Sequence, residues 1–344
     1  MTVGQDRFKK TIAFPHPPGH GGPGSFQTRF EKALSAANWT VVYAQDRIVP
    51  DVVMVVGGTK RLGWLWRMKQ AGVPIILRLD GINWLHRKTK KISRRNIILA
   101  ELRNWITALI RSRLASYIVY QSHFAKQWWE SKHKVDIPNS IIWNGVDLDE
   151  FHPENNGKTT GEIDVLCLEG NIDYSPYAIE LLNMLESAIK ARNDVRELVL
   201  YGHIYLQSEK EKLNPSINYK GSIGRTELPK AYRNAIYFSL DLNPACPNTV
   251  MEALASGLPV VAYNTGALPE LVTEYAGVIV EYGGNPWELD TPSLENLLAG
   301  IDMIVSNYAY YADSARRLAV SRYDIDDIFN QYLTVLQRCT PLPK

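Results

Sequence analysis

Short apolar runs rich in β-branched residues recur along the whole chain, at 10–14, 41–44, 51–56, 74–79, 117–121 and 140–143. After a polar stretch, ENNGKTTGE (154–162), they resume at 163–170, 197–202, 236–242, 259–263 and 277–281. Most of these runs are continuously apolar rather than alternating, the pattern of strands covered on both faces. Residues at helical spacing lie between them, as in SFQTRFEKALSAA (25–37) and in the tail from Tyr308 to Cys339. Strands alternating with helices predict parallel α/β sheets. The break at 154–162 predicts two domains, 1–152 and 153–325, with a terminal helix over 326–344. A chain of 344 residues suits two such domains.

Three turns carry candidate chemistry. In NPACPNTVMEALASGLPVVAYNTGALPEL (243–271), Pro244 and Pro247 confine the start to a loop. A helix begins at Asn248 and Gly257 stops it. A helix start offers free N–H groups and partial positive charge to a phosphate, and Glu252 stands near enough to accept two ribose hydroxyls. The plainer alternative is an ordinary strand–helix–strand unit with Glu252 facing water. After the first strand, PHPPGHGGPGSF (15–26) places Gly21, Gly22 and Gly24 where bare backbone can approach a ligand, or simply forms a turn. In RLDGIN (78–83), Asp80 is a candidate to orient an acceptor hydroxyl and take its proton. Equally, it is placed to pair with Arg78.

PNTVMEALASGLPVVAYNTGALPELV resembles the donor-site signature of glycosyltransferase family 4, the retaining enzymes of the GT-B fold. IIWNGVDLDEFHP (141–153) resembles the family's turn at the end of the first domain; Asn144-Gly145 there is expected to need positive φ. GSIGRTELPKAYRNA (221–235) resembles the segment before the donor helix. The resemblance implies two Rossmann-like domains facing across a cleft, with the last helix crossing back to the first. It implies transfer of a hexose from a nucleoside-diphosphate sugar to a glycan or carrier-linked acceptor, with retention and without a metal or other cofactor. Glu252 matches the glutamate that holds the ribose. Asn248, Thr249 and Val250 match the backbone that meets sugar and diphosphate, Ile223 and Gly224 match the backbone facing the base, and Gly22 and Gly24 match the loop beside the phosphates. Two positions depart. Pro244 stands where the family has its first glutamate, and Asn171 where it carries an arginine, followed by a lysine.

Charge adds a further expectation. Net charge is +2, yet residues 1–150 hold 23 Lys/Arg against 11 Asp/Glu. HRKTKKISRR (86–95) has six basic residues and no acid: Arg87, Lys88, Lys90, Lys91, Arg94 and Arg95. A helix with Ile97, Ile98, Leu102, Trp105 and Ile106 follows. A core-facing helix beside a solvated loop explains this, and so does docking on an anionic membrane surface or carrier. No recognition motif supports nucleic acid. No run reaches the roughly 20 apolar residues of a membrane span, the start MTVGQDRFKK has no apolar core, and three scattered cysteines fit a reducing cytoplasm. A catalytically degenerate binding module is the alternative the two departures motivate. A dinucleotide oxidoreductase lacks its G-x-G-x-x-G.

Overall fold

The computed structural model describes residues 9–19, 21–89, 93–153, 163–273 and 275–340. Lys90, Lys91 and the polar stretch 154–162 lie outside them. Two compact domains emerge, Met1–Asn144 with Asp326–Lys344, and Gly145–Ile325.

The first domain runs β1 (Thr11–Phe14), α1 (Gly21–Ala36), β2 (Thr40–Tyr43), β3 (Val52–Val56), α2 (Leu62–Gln70), β4 (Ile75–Leu79), α3 (Arg94–Leu109), β5 (Tyr117–Tyr120), α4 (His123–Lys132) and β6 (Asn139–Ile141). All pairings are parallel, in the order β2-β1-β3-β4-β5-β6. VVMVV and IILRL are wholly buried, as β-branched strands between two helical layers should be. The order reverses at β1. Crevices at the carboxyl ends of strands open at such a switch point.

The second domain runs β7 (Ile163–Asn171), α5 (Ala178–Ile189), β8 (Val195–His203), α6 (Gln207–Lys210), β9 (Asn218–Gly221), α7 (Leu228–Ala231), β10 (Ala235–Ser239), α8 (Asn248–Ala255), β11 (Val260–Tyr263), α9 (Leu268–Leu271), β12 (Gly277–Val280), α10 (Leu294–Ser306) and α11 (Tyr308–Arg322). Its sheet, β12-β11-β10-β7-β8-β9, is also parallel and reverses between β7 and β10. Leu181, Leu182 and Leu185 of α5 pack with Ile301 and Ile304 of α10 in its core. The predicted stop of α8 at Gly257 is a Schellman turn. Gly257 has φ +74°, its N–H reaches the Leu254 carbonyl at 3.0 Å, and the Leu258 N–H reaches Ala253 at 2.9 Å.

The final helix, α12 (Ile325–Cys339), groups almost entirely with the first domain. It buries Ile328, Phe329, Tyr332, Val335 and Leu336, a single stripe at helical spacing. Phe26 and Phe30 of α1 meet Phe329 and Tyr332 with ring centroids 5.1–6.2 Å apart. Burying such rings contributes about 2–3 kcal/mol each, and the cluster fixes α1 behind its glycine loop.

Two expectations need correction. Asn144 and Gly145 do not adopt positive φ. Glycine is needed at 145 because a Cβ there would lie 2.7 Å from the Ile325 Cα. The helix after the basic loop faces the core only in part: Ile106 packs half-buried against it, but no residue of α3 is fully buried.

Candidate functional site

A cleft of about 850 Å³ opens over the carboxyl ends of β1, β3 and β4 in the first domain. Asp80 lies in its wall, with Gly57 and Thr59 after β3, Gly24 and Gln27 of α1, and the inner side of α3. Arg78 is 2 % exposed, which requires full hydrogen bonding. Its Nε donates to the Tyr332 hydroxyl at 3.0 Å, its other nitrogens donate to Asp80 Oδ1 at 3.2 Å and to the Asn144 side-chain carbonyl, and its guanidinium stacks 3.9 Å above Phe26. Asp80 Oδ1 also accepts from the Gln121 amide, and the Trp129 indole donates to the Asp80 carbonyl at 2.8 Å. Burial raises the Asp80 pKa; Arg78 and Gln121 oppose the rise. Asp80 is therefore both paired with Arg78 and open to the cleft. Gln121 and Trp129, which orient it, were not foreseen; both follow or flank β5, whose turn carried no motif.

Of the glycines, Gly24 lines the cleft and Gly22 does not. A Cβ on Gly24 would collide with the Gly19 carbonyl, while Gly22 has nothing within 4 Å. The basic loop is partly neutralised. Arg87 forms a two-pronged pair with Glu101 at 2.5 and 2.7 Å, and Arg87 with His86 holds the Glu101 carboxyl down at about 2. Arg94 and Arg95 are exposed in the first turn of α3, and Lys88 is exposed at the end of the short helical turn 85–87 before it.

In the second domain the β7/β10 switch point gathers a second set. Asn171 ends β7, and its buried Oδ1 has no hydrogen-bond partner among the described residues. Asn243 takes φ +51° in the loop after β10, is buried, and has an Nδ2 with no partner among the described residues. Pro244 packs against Gly266, where a Cβ would lie 2.5 Å from its ring, and its carbonyl accepts the Ala267 N–H at 2.8 Å. The loop thus enters α8 at a set angle. Asn248 and Thr249 open α8 half-buried, Val250 is buried, and no side chain caps the helix through Pro247. First-turn N–H groups of a helix need a partner, and an anion is one. Glu252 is only 5 % exposed and accepts the Tyr232 hydroxyl at 3.2 Å, so it does not simply face water. Ile223 and Gly224 lie in the loop between β9 and α7, and Gly224 has open space around its Cα.

Sequence reasoning missed a carboxyl pair here. Glu169 is buried near the end of β7 and accepts the Leu240 N–H at 3.0 Å. Burial, then repulsion from Asp241, pushes its pKa well up. Asp241 sits at an exposed position just after β10, and the protein around its carboxyl pushes it up to about 6. The signal was there in an acid closing each of two apolar runs, VLCLE and YFSLD.

Residues 166–290 match the family model described as Glycosyl transferases group 1. Alpha-monoglucosyldiacylglycerol synthase of Streptococcus pneumoniae is 27% identical over 191 residues, covering 50% of this chain and 43% of that protein. The chain thus spans less than half the length of this relative. Sucrose-phosphate synthase of Thermosynechococcus elongatus superposes with TM-score 0.75 at 14% identity, over 96% of this chain and 98% of that one. HepE of Anabaena, solved in complex with UDP and glucose, superposes with TM-score 0.69 at 15% identity, over 96% of this chain and 100% of that one. Residues 166–290 thus resemble the group 1 glycosyltransferases, and the chain has the GT-B fold.

Proposed function

We propose that the protein is a retaining hexosyltransferase of family 4, moving a sugar from a nucleoside diphosphate to an acceptor hydroxyl in glycan or polysaccharide assembly. The observation that supports this most is the coincidence of the family match with the β7/β10 crevice and the uncapped start of α8. In this reading the diphosphate meets the N–H groups of Asn248, Thr249 and Val250, Glu252 takes the ribose, Asn171 replaces the missing cation, and Ile223 and Gly224 face the base. Preorganised dipoles stabilise the leaving diphosphate, so the reaction calls for no metal or other cofactor. Asp80 takes the acceptor proton in the first-domain cleft. The enzyme works at the cytoplasmic face of an anionic membrane, held by the basic surface around Arg87, Lys88, Lys90, Lys91, Arg94 and Arg95. No described helix is long and apolar enough to cross a membrane.

The test is nucleotide binding followed by turnover. Titration with UDP, GDP and ADP should give one clear preference, and the matching nucleotide-sugar should be hydrolysed slowly without acceptor. Proton NMR of the released anomer should show retention. One observation favours a second reading, a nucleotide-binding protein without turnover: Pro244 and Asn171 stand where the family has charged groups. Binding without hydrolysis of any nucleotide-sugar would select it.

A further inference from the structure

We propose that the first-domain cleft takes a phosphate-bearing amphiphile as the glycosyl acceptor, its hydrocarbon lying along α3 and its anionic group among Lys60, Arg61, Arg95 and Arg103. The inference rests on reading this cleft as an acceptor site, and it names the acceptor's class.

Two features of α3 carry it. First, no residue of this sixteen-residue helix is fully buried, and its outer face carries large apolar side chains. Ile98, Leu102 and Trp105 fall at i, i+4 and i+7 and are 66 %, 45 % and 59 % exposed. Residues at that spacing form one face, and clustered exposed apolar side chains mark a binding surface. Leu99, Leu102 and Ile106 turn the edge of that face into the cleft wall. Second, four cations line the same cleft, and among the described residues none of them pairs with a carboxylate. The one acid in the lining, Asp80, is engaged by Arg78.

Each simpler ligand leaves part of this unused. A neutral sugar needs hydrogen-bonding groups, which the floor supplies, but gives four cations no countercharge. A free sugar phosphate satisfies the cations, since guanidinium groups bind phosphate by paired hydrogen bonds, yet leaves the apolar face in water. A neutral lipid uses the face and strands the cations. An amphiphile with a phosphate between chain and hydroxyl-bearing head uses all three: hydroxyl at Asp80, phosphate at the cations, chain along Leu99 and Leu102.

The experiment is calorimetric titration of the full chain with octyl phosphate, inorganic phosphate and octyl glucoside. Keeping the amphiphiles below their micelle concentrations separates capture of one molecule from adsorption to an aggregate. Octyl phosphate should bind on the order of a hundredfold more tightly than inorganic phosphate, because several methylenes leave water, and at least about tenfold more tightly than octyl glucoside. In Arg95→Gln/Arg103→Gln, octyl phosphate should fall to the octyl glucoside level. In Leu99→Gln/Leu102→Gln it should fall toward inorganic phosphate, whose own binding stays unchanged. All four positions are exposed on α3, so melting temperatures should hold. Equal binding of octyl and inorganic phosphate, equal binding of octyl phosphate and octyl glucoside, or no binding at all would each overturn the proposal. UDP titrated into the same samples keeps the two readings apart. Retained UDP binding with no preference for octyl phosphate defeats only the acceptor class. Octyl phosphate binding without any nucleotide binding defeats the transferase reading instead.

Discussion

Arg78 grips Asp80 by one oxygen. The 3.2 Å hydrogen bond and the Gln121 amide both fall on Oδ1, and no described residue hydrogen-bonds Oδ2, which lies beside Gly57 in the cleft lining. The pairing that looked like an alternative to a chemical role is what aims the carboxylate. Burial outweighs Arg78 and raises the Asp80 pKa. A raised acid is more favourable protonated in the folded state, so its contribution to stability is present at low pH and lost as pH rises through the folded value. Asp80→Asn should therefore keep or slightly raise stability at neutral pH. Turnover should drop by about 10²–10⁴, the usual worth of a positioned base. Wild-type kcat/KM should fall on acidification through a pKa above the ordinary carboxylate range, and the Asn variant should lack that limb. An unchanged rate in the variant would make Asp80 structural only.

Glu252 has two duties to separate. Hydrogen bonds to a charged group are worth about 1.5–3 kcal/mol, so Glu252→Ala should weaken nucleoside-diphosphate binding by that much. Exposed glutamates are removed at little cost, but Glu252 is buried against Tyr232. Its loss strands a buried hydroxyl, at about 1–3 kcal/mol of stability. Tyr232→Phe is the control: a similar hydroxyl is gone, but the carboxylate remains. Nucleotide affinity should fall in Glu252→Ala and hold in Tyr232→Phe, read by titration alongside urea denaturation.

Eleven of the twelve strands among the described residues were legible as apolar runs, because strands covered on both faces must be apolar throughout. The exception is β9, Asn-Tyr-Lys-Gly at the sheet edge, where one neighbour suffices and polar residues are tolerated. α3 misled for the opposite reason. Its apolar spacing is that of a core helix, and periodicity reports that a face is apolar without saying what covers it. Gly145 was legible as necessary but for the wrong cause. Its contact with Ile325 spans 180 residues of chain, and no local rule contains it. The carboxyl pair escaped similarly: Glu169 and Asp241 meet only because β7 and β10 are neighbours at the switch point.

That pair sets a pH dependence. Both carboxyls are raised, Glu169 well up and Asp241 to about 6. Between the ordinary carboxylate range and those values the folded protein binds more protons than the unfolded chain, so stability falls as pH rises. Urea midpoints should be higher at pH 5 than at pH 8. Glu169→Gln should flatten the difference, since its amide oxygen can still accept the Leu240 N–H. Midpoints that climb from pH 5 to 8 would contradict the sign.

The glycine loop allows a prediction in which two neighbours behave oppositely. Gly24 is closed in by its own chain, and a Cβ there meets the Gly19 carbonyl. Gly24→Ala must move the loop that lines the cleft, so melting temperature and turnover should fall together. Gly22 opens the first turn of α1 with nothing within 4 Å. Gly22→Ala should be neutral or stabilise by about 0.5 kcal/mol, because alanine has less freedom to lose in a helix. If that space is where a donor phosphate or sugar approaches the backbone, Gly22→Val fills it with branched carbon. Turnover should then drop at least about tenfold while the branched residue costs the helix only about 0.5 kcal/mol relative to alanine. Steady-state kinetics beside thermal melts of the three variants decide the matter. Full activity in Gly22→Val would mean that no ligand comes near Gly22 and that the loop's glycines serve only its own folding.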